Sequence, residues 1–222
     1  MKNFTAWRGS SLKEVTMRQD IPIPAIERLS ILYTVLERLE KEERTTVSSK
    51  ELGRIMNVPP HTIRKDINYF GQTGTENGYN VLALKSTIES RLHFDNPRKA
   101  CIVGLGRMGN AIMNFSGFLD SNIKIVAGFD SNINRLETLV TDIPLHPAYA
   151  IPEVVKSKGI ELGVITVPPS SAQLTADRLI QGGIKGIINF APVILNGDSP
   201  HIEIRNFYIL EEFRILSALI SR

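Results

Sequence analysis

Gly104-Leu105-Gly106-Arg107-Met108-Gly109 stands between an apolar run, Cys101-Ile102-Val103, and a helix-forming stretch that begins at Asn110. A strand that turns into a helix through G-x-G-x-x-G has few folds open to it. Gly104 permits the tight turn, Gly106 lets backbone approach a pyrophosphate, and Gly109 lets helix and strand pack closely. The helix N-terminus then offers free amides and a positive dipole to phosphates. Leu105, Arg107 and Met108 complete the loop. Three glycines in a turn could solve packing alone, but Asp130 ends the next apolar run, Ile123–Phe129. That is the distance at which an acidic residue bonds the adenosine ribose and repels the 2′-phosphate of NADP. The pattern predicts an NAD(H) site, with a related fold holding coenzyme A, adenosine or no ligand as the alternative.

The chain around this motif alternates strand and helix. Apolar runs at Ala100–Val103, Ile123–Phe129, Leu162–Val167 and Gly186–Phe190 are separated by amphipathic segments at Met108–Leu119, Ile151–Lys158 and Ser171–Gln181. Such alternation predicts an α/β domain, a Rossmann-type doubly wound parallel sheet with helices on both faces. Ligands of open parallel sheets sit at the carboxyl ends of strands. Thr166, Val167 and Pro168 end one strand, and Asn189 and Phe190 the next. These are candidates for the nicotinamide end, although Pro168 and Pro192 also serve as ordinary strand breakers.

Upstream of Pro97 the pattern is helical. Ile26, Leu29, Leu32, Tyr33, Leu36 and Leu39 recur at helical spacing. Ser48-Ser49-Lys50-Glu51 reads as a capping box opening a helix that buries Leu52, Ile55 and Met56. Asn57-Val58-Pro59-Pro60 makes a turn, and the next helix carries Ile63, Ile67 and Phe70 on one face. His61, Arg64, Lys65, Asn68 and Tyr69 fall on the other face or its margins. This is a helix-turn-helix. Gly71 to Val81 fits a hairpin or wing, and Val81 to Leu92 a further helix with Leu82, Lys85, Ile88 and Leu92 spaced along it.

Charge follows the same division. The whole chain carries 26 basic and 23 acidic residues, and all of the excess lies before Lys99. Between Arg44 and Lys65 five basic residues face one acid, Glu51. A solvated basic face would show the same excess, but on a helix-turn-helix it predicts a polyanion partner: Ser48, Ser49, Lys50, His61, Arg64, Lys65, Asn68 and Tyr69 against double-stranded DNA. The domain bounds predicted are an N-terminal extension at 1–20, a winged-helix domain at 21–96, a nucleotide domain at 97–205 and a C-terminal helix at 206–222. The last is strongly apolar, with Ile209, Leu210, Phe213, Leu216, Leu219 and Ile220, and must be covered either by its own sheet or by a second subunit.

Catalytic chemistry is disfavoured. His61, His93, His146 and His201 have no carboxylate at a spacing that suggests a relay. Cys101 heads a buried strand, where an inert thiol is the expected reading, and no cluster has metal-ligand spacing. A single cysteine, the lack of a signal-peptide apolar region and the lack of a bilayer-length apolar run predict a cytoplasmic protein with no membrane association. An NAD-dependent oxidoreductase and a coenzyme A or adenine-nucleotide binding module stay open as alternatives from other classes.

Taken together, Ile63-Arg64-Lys65-Asp66-Ile67-Asn68-Tyr69-Phe70-Gly71, the run from Ile102 to Gly109 and the run from Gly182 to Val193 resemble the Rex family of redox-sensing transcriptional repressors. The resemblance covers Ile21 to the C-terminus. It implies a homodimer that exchanges C-terminal helices, binds a palindromic operator and senses the NADH/NAD⁺ ratio, with NADH closing the dimer and releasing DNA. The chain departs from the family pattern in places. The wing reads Glu76-Asn77-Gly78-Tyr79 in place of a basic-tipped Arg-Gly-Val-Gly-Tyr. Thr34, Phe115 and Tyr208 occupy positions where the family has an arginine, a tyrosine and an aspartate that link NADH to closure. The resemblance with these departures implies a Rex-like paralogue with a weak or absent NADH response.

Overall fold

The computed structural model describes residues 21–71, 78–119, 121–196 and 202–221, and the chain divides between Asp95 and Asn96 into two compact units. The expected N-terminal extension and the wing tip at Glu76 and Asn77 lie outside the described residues.

In the first unit, α1 (Ile23–Lys41) has a proline in its first turn and buries Ala25, Leu29, Leu32, Leu36 and Leu39. That inward stripe runs through Ala25, so Ile26, expected inside, is exposed. Two short strands, β1 (Thr46–Val47) and β2 (Tyr79–Asn80), pair antiparallel. Between them lie α2 (Ser49–Met56) and α3 (Pro60–Asn68). Ser48 caps α2, its Oγ accepting from the Glu51 N–H at 3.1 Å. The capping box is only half made. The Glu51 carboxylate turns away and accepts from Arg44 Nη2 at 3.1 and 3.2 Å. Leu52 and Gly53 face inward while Ile55, expected buried, is exposed. Gly53 is required there, since a Cβ would stand 2.5 Å from the Val58 carbonyl oxygen. Asn57 takes a left-handed conformation to end α2, and Pro60 opens α3, where its missing N–H costs nothing. Then α4 (Val81–Leu92), capped by Asn80, buries Val81, Leu84 and Ile88. Starting the helix at Val81 sets that stripe and leaves Leu82 outside.

The second unit holds β3 (Arg98–Val103), β4 (Ile123–Asp130), β5 (Leu145–Pro147), β6 (Leu162–Ile165), β7 (Gly186–Asn189) and β8 (Glu203–Asn206). All pair in parallel, in the order β5-β4-β3-β6-β7-β8. Residues along β3 alternate between two cores. Cys101 and Val103 join the cluster built with α7 (Ile151–Lys158) and α8 (Pro169–Gln181). Ile102 joins Leu105 and Met113 beside α5 (Arg107–Met113). Burial on both faces explains why these strands read as continuous apolar runs. The predicted helix at 108–119 is shorter than expected: α5 stops at Met113 and a 3-10 turn covers Ser116–Phe118. β5 and α6 (Ile133–Thr138) have no counterpart in the sequence expectations. Among the described residues no helix is long and apolar enough to cross a membrane.

The strand order reverses between β3 and β6, so their first connections leave in opposite directions and open a crevice at the carboxyl edge. The C-terminal helix, α9 (Ile209–Ile220), buries none of its residues.

Candidate functional site

A cleft of about 750 Å³ occupies that crevice. Gly104, Gly106, Met108, Asp130, Thr166, Val167, Pro168 and Phe190 line it, bringing together residues predicted from four separate stretches. The three glycines have distinct reasons. Gly104 has φ +96°, and a Cβ on it would meet the Thr166 carbonyl oxygen at 2.8 Å. At Gly109 a Cβ would lie 1.9 Å from the Gly104 oxygen, beneath the turn. At Gly106 a Cβ would meet no protein atom within 4 Å. Packing therefore does not demand glycine at 106, and the space that a side chain would fill is the cradle a pyrophosphate needs. The donor set fits the dinucleotide predicted for it.

Other predicted residues sit elsewhere. Leu105 turns its side chain into the core, and its N–H donates to Asp130 Oδ2 at 2.7 Å. Arg107 is exposed at the start of α5. Thr166 donates its hydroxyl to the Gly104 carbonyl at 2.6 Å, clamping the glycine turn onto β6. Asn189 is fully buried. Its Nδ2 donates to the Val193 carbonyl at 2.8 Å and to Asn206 Oδ1 at 2.9 Å, while its Oδ1 accepts from the Ala191 N–H at 3.0 Å. It shapes the loop that presents Phe190.

Asp130 is the buried anion of the cleft. Oδ1 accepts from the Asn132 N–H at 2.8 Å, and Oδ2 accepts from the Leu105 N–H and, at 2.8 Å, from Arg135 Nη1. Burial pushes its carboxyl upward, but the Asn132 amide, the Arg135 guanidinium and the Leu105 amide outweigh that and hold it below the usual carboxylate range. Sequence reasoning missed Arg135, because α6 itself was missed. It also missed Ser171, Leu174, Thr175 and Arg178, which line the cleft from one face of α8. Their i, i+3, i+4, i+7 spacing was a signal that could have found them.

In the first unit, His61, Arg64, Lys65 and Asn68 all lie exposed along α3, again at i, i+3, i+4 and i+7, with Tyr69 half-buried at the margin. Ser48 and Lys50 are exposed. Half-buried Ser49 accepts from Arg64 Nη1 at 2.9 Å, which joins the start of α2 to the outer face of α3. Asp66, on the inner side of α3, is buried and paired with Arg28.

The family model described as "CoA binding domain" matches residues 95–193, and the one described as "Putative DNA-binding protein N-terminus" matches residues 20–68. The redox-sensing transcriptional repressor Rex of Pelotomaculum thermopropionicum is 33% identical over 198 residues, covering 89% of this chain and 92% of the relative. Rex of Brevibacillus brevis is 39% identical over 171 residues, covering 77% and 83%. The chain belongs to the Rex family. A crystal structure of RSP, a Rex-family repressor, matches with a TM-score of 0.82 at 29% identity, covering 90% of this chain and 94% of that one. RSP in complex with β-NAD⁺ and operator DNA matches at 0.83 and 30% identity, covering 90% and 93%. Rex proteins are repressors rather than enzymes, which removes the oxidoreductase alternative. They also span both units, which a coenzyme A binding module by itself does not.

Thr34, Phe115 and Tyr208, where the resemblance implies departures from the Rex pattern, each have a local partner. The Thr34 hydroxyl donates to the Ser30 carbonyl in its own helix at 3.4 Å. Phe115 is exposed and packs edge-on against Phe118 at 5.7 Å. Tyr208 donates its hydroxyl to the Val193 carbonyl at 3.1 Å. The two arginines nearest Thr34 on α1 are engaged, since Arg28 holds Asp66 and Arg38 faces Glu42 at 3.6 Å.

Proposed function

We propose that this Rex-family chain is a cytoplasmic, homodimeric repressor that reads a palindromic operator with α3, holds NAD(H) in the cleft and answers NADH weakly or not at all. The observation that carries the reading is the joint presence of an exposed basic stripe on a pinned second helix and a glycine turn whose middle position is left open. Arg64 and Lys65 face major-groove bases and phosphates, with Ser48, Ser49, Lys50, His61, Asn68 and Tyr69 beside them. Gly104 and Gly106, with the α5 amides, take the pyrophosphate. The Asp130 region takes the adenosine ribose, and Thr166 to Pro168 with Phe190 take the nicotinamide end.

A helix apolar on all sides is stable only when covered. α9 leaves Phe213, Leu216 and Ile220 more than half exposed, so a second copy is the natural cover. A two-fold dimer then offers two recognition helices to two half-sites, which suits a palindrome.

Domain bounds of 21–96, 97–205 and 206–222 accord with this division of labour. The test is a gel-shift titration on a Rex-type palindrome, repeated with saturating NADH and with NAD⁺. Absence of specific operator binding would sink the repressor reading, and absence of any nucleotide binding by calorimetry would sink the cleft assignment.

A further inference from the structure

Arg28, Arg38 and Arg44 in the first unit are each held by an acid, namely Asp66, Glu42 and Glu51. Arg64 is held differently. Its Nη1 donates to the Ser49 hydroxyl at 2.9 Å, and among the described residues no carboxylate pairs with it. A neutral acceptor fixes a guanidinium without cancelling its charge, so the rest of the group can still meet an anion or a base edge.

The hydroxyl that holds Arg64 is itself a fixed point. Ser48 Oγ is taken by the Glu51 N–H as the cap of α2, which leaves Ser49 Oγ for Arg64. The chain before α2 is tied by the pairing of Val47 with Tyr79. Behind the serine, Leu52 and Gly53 are buried, and a Cβ at Gly53 would strike the Val58 carbonyl and crowd Pro60 at the head of α3. The start of α2 is thus set close against α3, and Asp66 pins α3 to α1.

An arginine presents a planar fork of N–H donors. With one of them on Ser49, the remainder can still donate a bidentate pair of bonds, the pattern that O6 and N7 of guanine accept in the major groove. A free arginine must be ordered as it binds, whereas a tethered one is ordered beforehand.

We propose that Ser49 is a positioning residue for operator reading, whose hydroxyl aims the Arg64 guanidinium at a guanine. The inference rests on the reading of α3 as the recognition helix and deepens it: Ser49 acts through Arg64 rather than through a phosphate of its own.

The experiment is a competition gel shift of the full chain on a Rex-type palindrome against scrambled duplex. It compares the wild type, Ser49→Ala, Ser49→Thr, Arg64→Ala and the double variant Ser49→Ala with Arg64→Ala, each checked by thermal melting. Ser49→Ala should lower the operator-to-scrambled ratio about three- to tenfold, the effect of having to immobilise one long side chain on binding. Ser49→Thr keeps the hydroxyl and should restore most of the ratio. Once Arg64 is alanine, removing the Ser49 hydroxyl should change nothing further, a dependence that a general structural role would not show. Replacing each half-site guanine in turn by 7-deazaguanine, which lacks the N7 acceptor, should weaken the wild type most at one position and Ser49→Ala less at that same position. If Ser49→Ala fails to fold, Ser49→Cys carries the same comparisons, because sulfur is a weak acceptor. Equal losses on operator and scrambled DNA would mean a direct phosphate contact and overturn the inference, as would independent effects of the two substitutions. A wild-type chain that does not discriminate the operator overturns the recognition-helix reading itself, a result distinct from the other two.

Discussion

Arg28 on α1 grips both carboxylate oxygens of Asp66 on α3, with Nε at 2.6 Å from one and Nη2 at 2.8 Å from the other. The pair fixes α3, the helix proposed to read DNA, against α1. Asp66 is almost wholly buried, while Arg28 keeps about a third of its side chain in solvent.

Removing the cation would leave that carboxylate buried and unpaired. Arg28→Met is expected to destabilise the protein by about 3 kcal/mol, the lower end for a broken buried pair because Arg28 is partly exposed. Urea denaturation measures it. Arg28→Met together with Asp66→Leu should recover much of the loss, and failure to do so would show that the pair is not the source of the stability.

Arg64 has a different role. It is exposed, and its guanidinium donates to the Ser49 hydroxyl. Arg64→Ala should leave the melting temperature unchanged and reduce operator discrimination by about 1–3 kcal/mol, the worth of a base-reading arginine. A competition gel shift with the folded variant should show the gap between operator and scrambled DNA narrowed by that amount.

The glycines of the turn should separate cleanly. Gly106→Ala points into open space, so the variant should melt like the wild type yet bind dinucleotide at least tenfold more weakly. Gly109→Ala drives a methyl into the Gly104 carbonyl and should destabilise by about 3 kcal/mol, as overpacking does. Melting and titration of both variants decide it.

Operator affinity should change less than tenfold on saturation with NADH. A ligand moves an equilibrium only by its difference in affinity between states. Thr34, Phe115 and Tyr208 lack the cation, hydroxyl and carboxylate that would supply this difference, and Arg28 is held by the buried Asp66. A charge-assisted hydrogen bond is worth roughly 1.5–3 kcal/mol, so a drop of tenfold or more would mean that other residues restore the coupling.

His146 gives a pH dependence with a definite sign. Burial, and then the Lys158 charge, lower its pKa from the ordinary imidazole value, and its Nε2 is buried without a hydrogen-bond partner. Below about 6.5 the unfolded chain takes up the proton first, so stability present above that pH is lost as pH falls toward the folded value. His146→Phe keeps a ring against Phe129, 5.7 Å away, and removes the titration. Its melting temperature should fall less steeply between pH 7 and 5. Asp130 and Glu161, whose carboxyls are also held low, act in a separate window below about pH 4 by the same sign.

Much of this protein was legible in the order of its residues, wherever the information is local. The 3.6-residue period placed His61, Arg64, Lys65 and Asn68 on one face, and the glycine spacing marked the turn between β3 and α5. Alternating runs announced a parallel sheet. What the sequence could not show depends on segments meeting across the fold. Arg28 finds Asp66 across 38 residues, and Arg178 reaches the end of β5 from α8. Leu105 and Asn189 had the right positions for ligand contact, but the tertiary structure spends their polar atoms on Asp130 and on the Phe190 loop. Asp130 was legible at the end of its apolar run, yet the Arg135 that meets its carboxylate lies on a six-residue helix, too short a period to read. Periodicity reports which side of an element is apolar, whereas the partner of a buried charge is set by which elements the fold brings together.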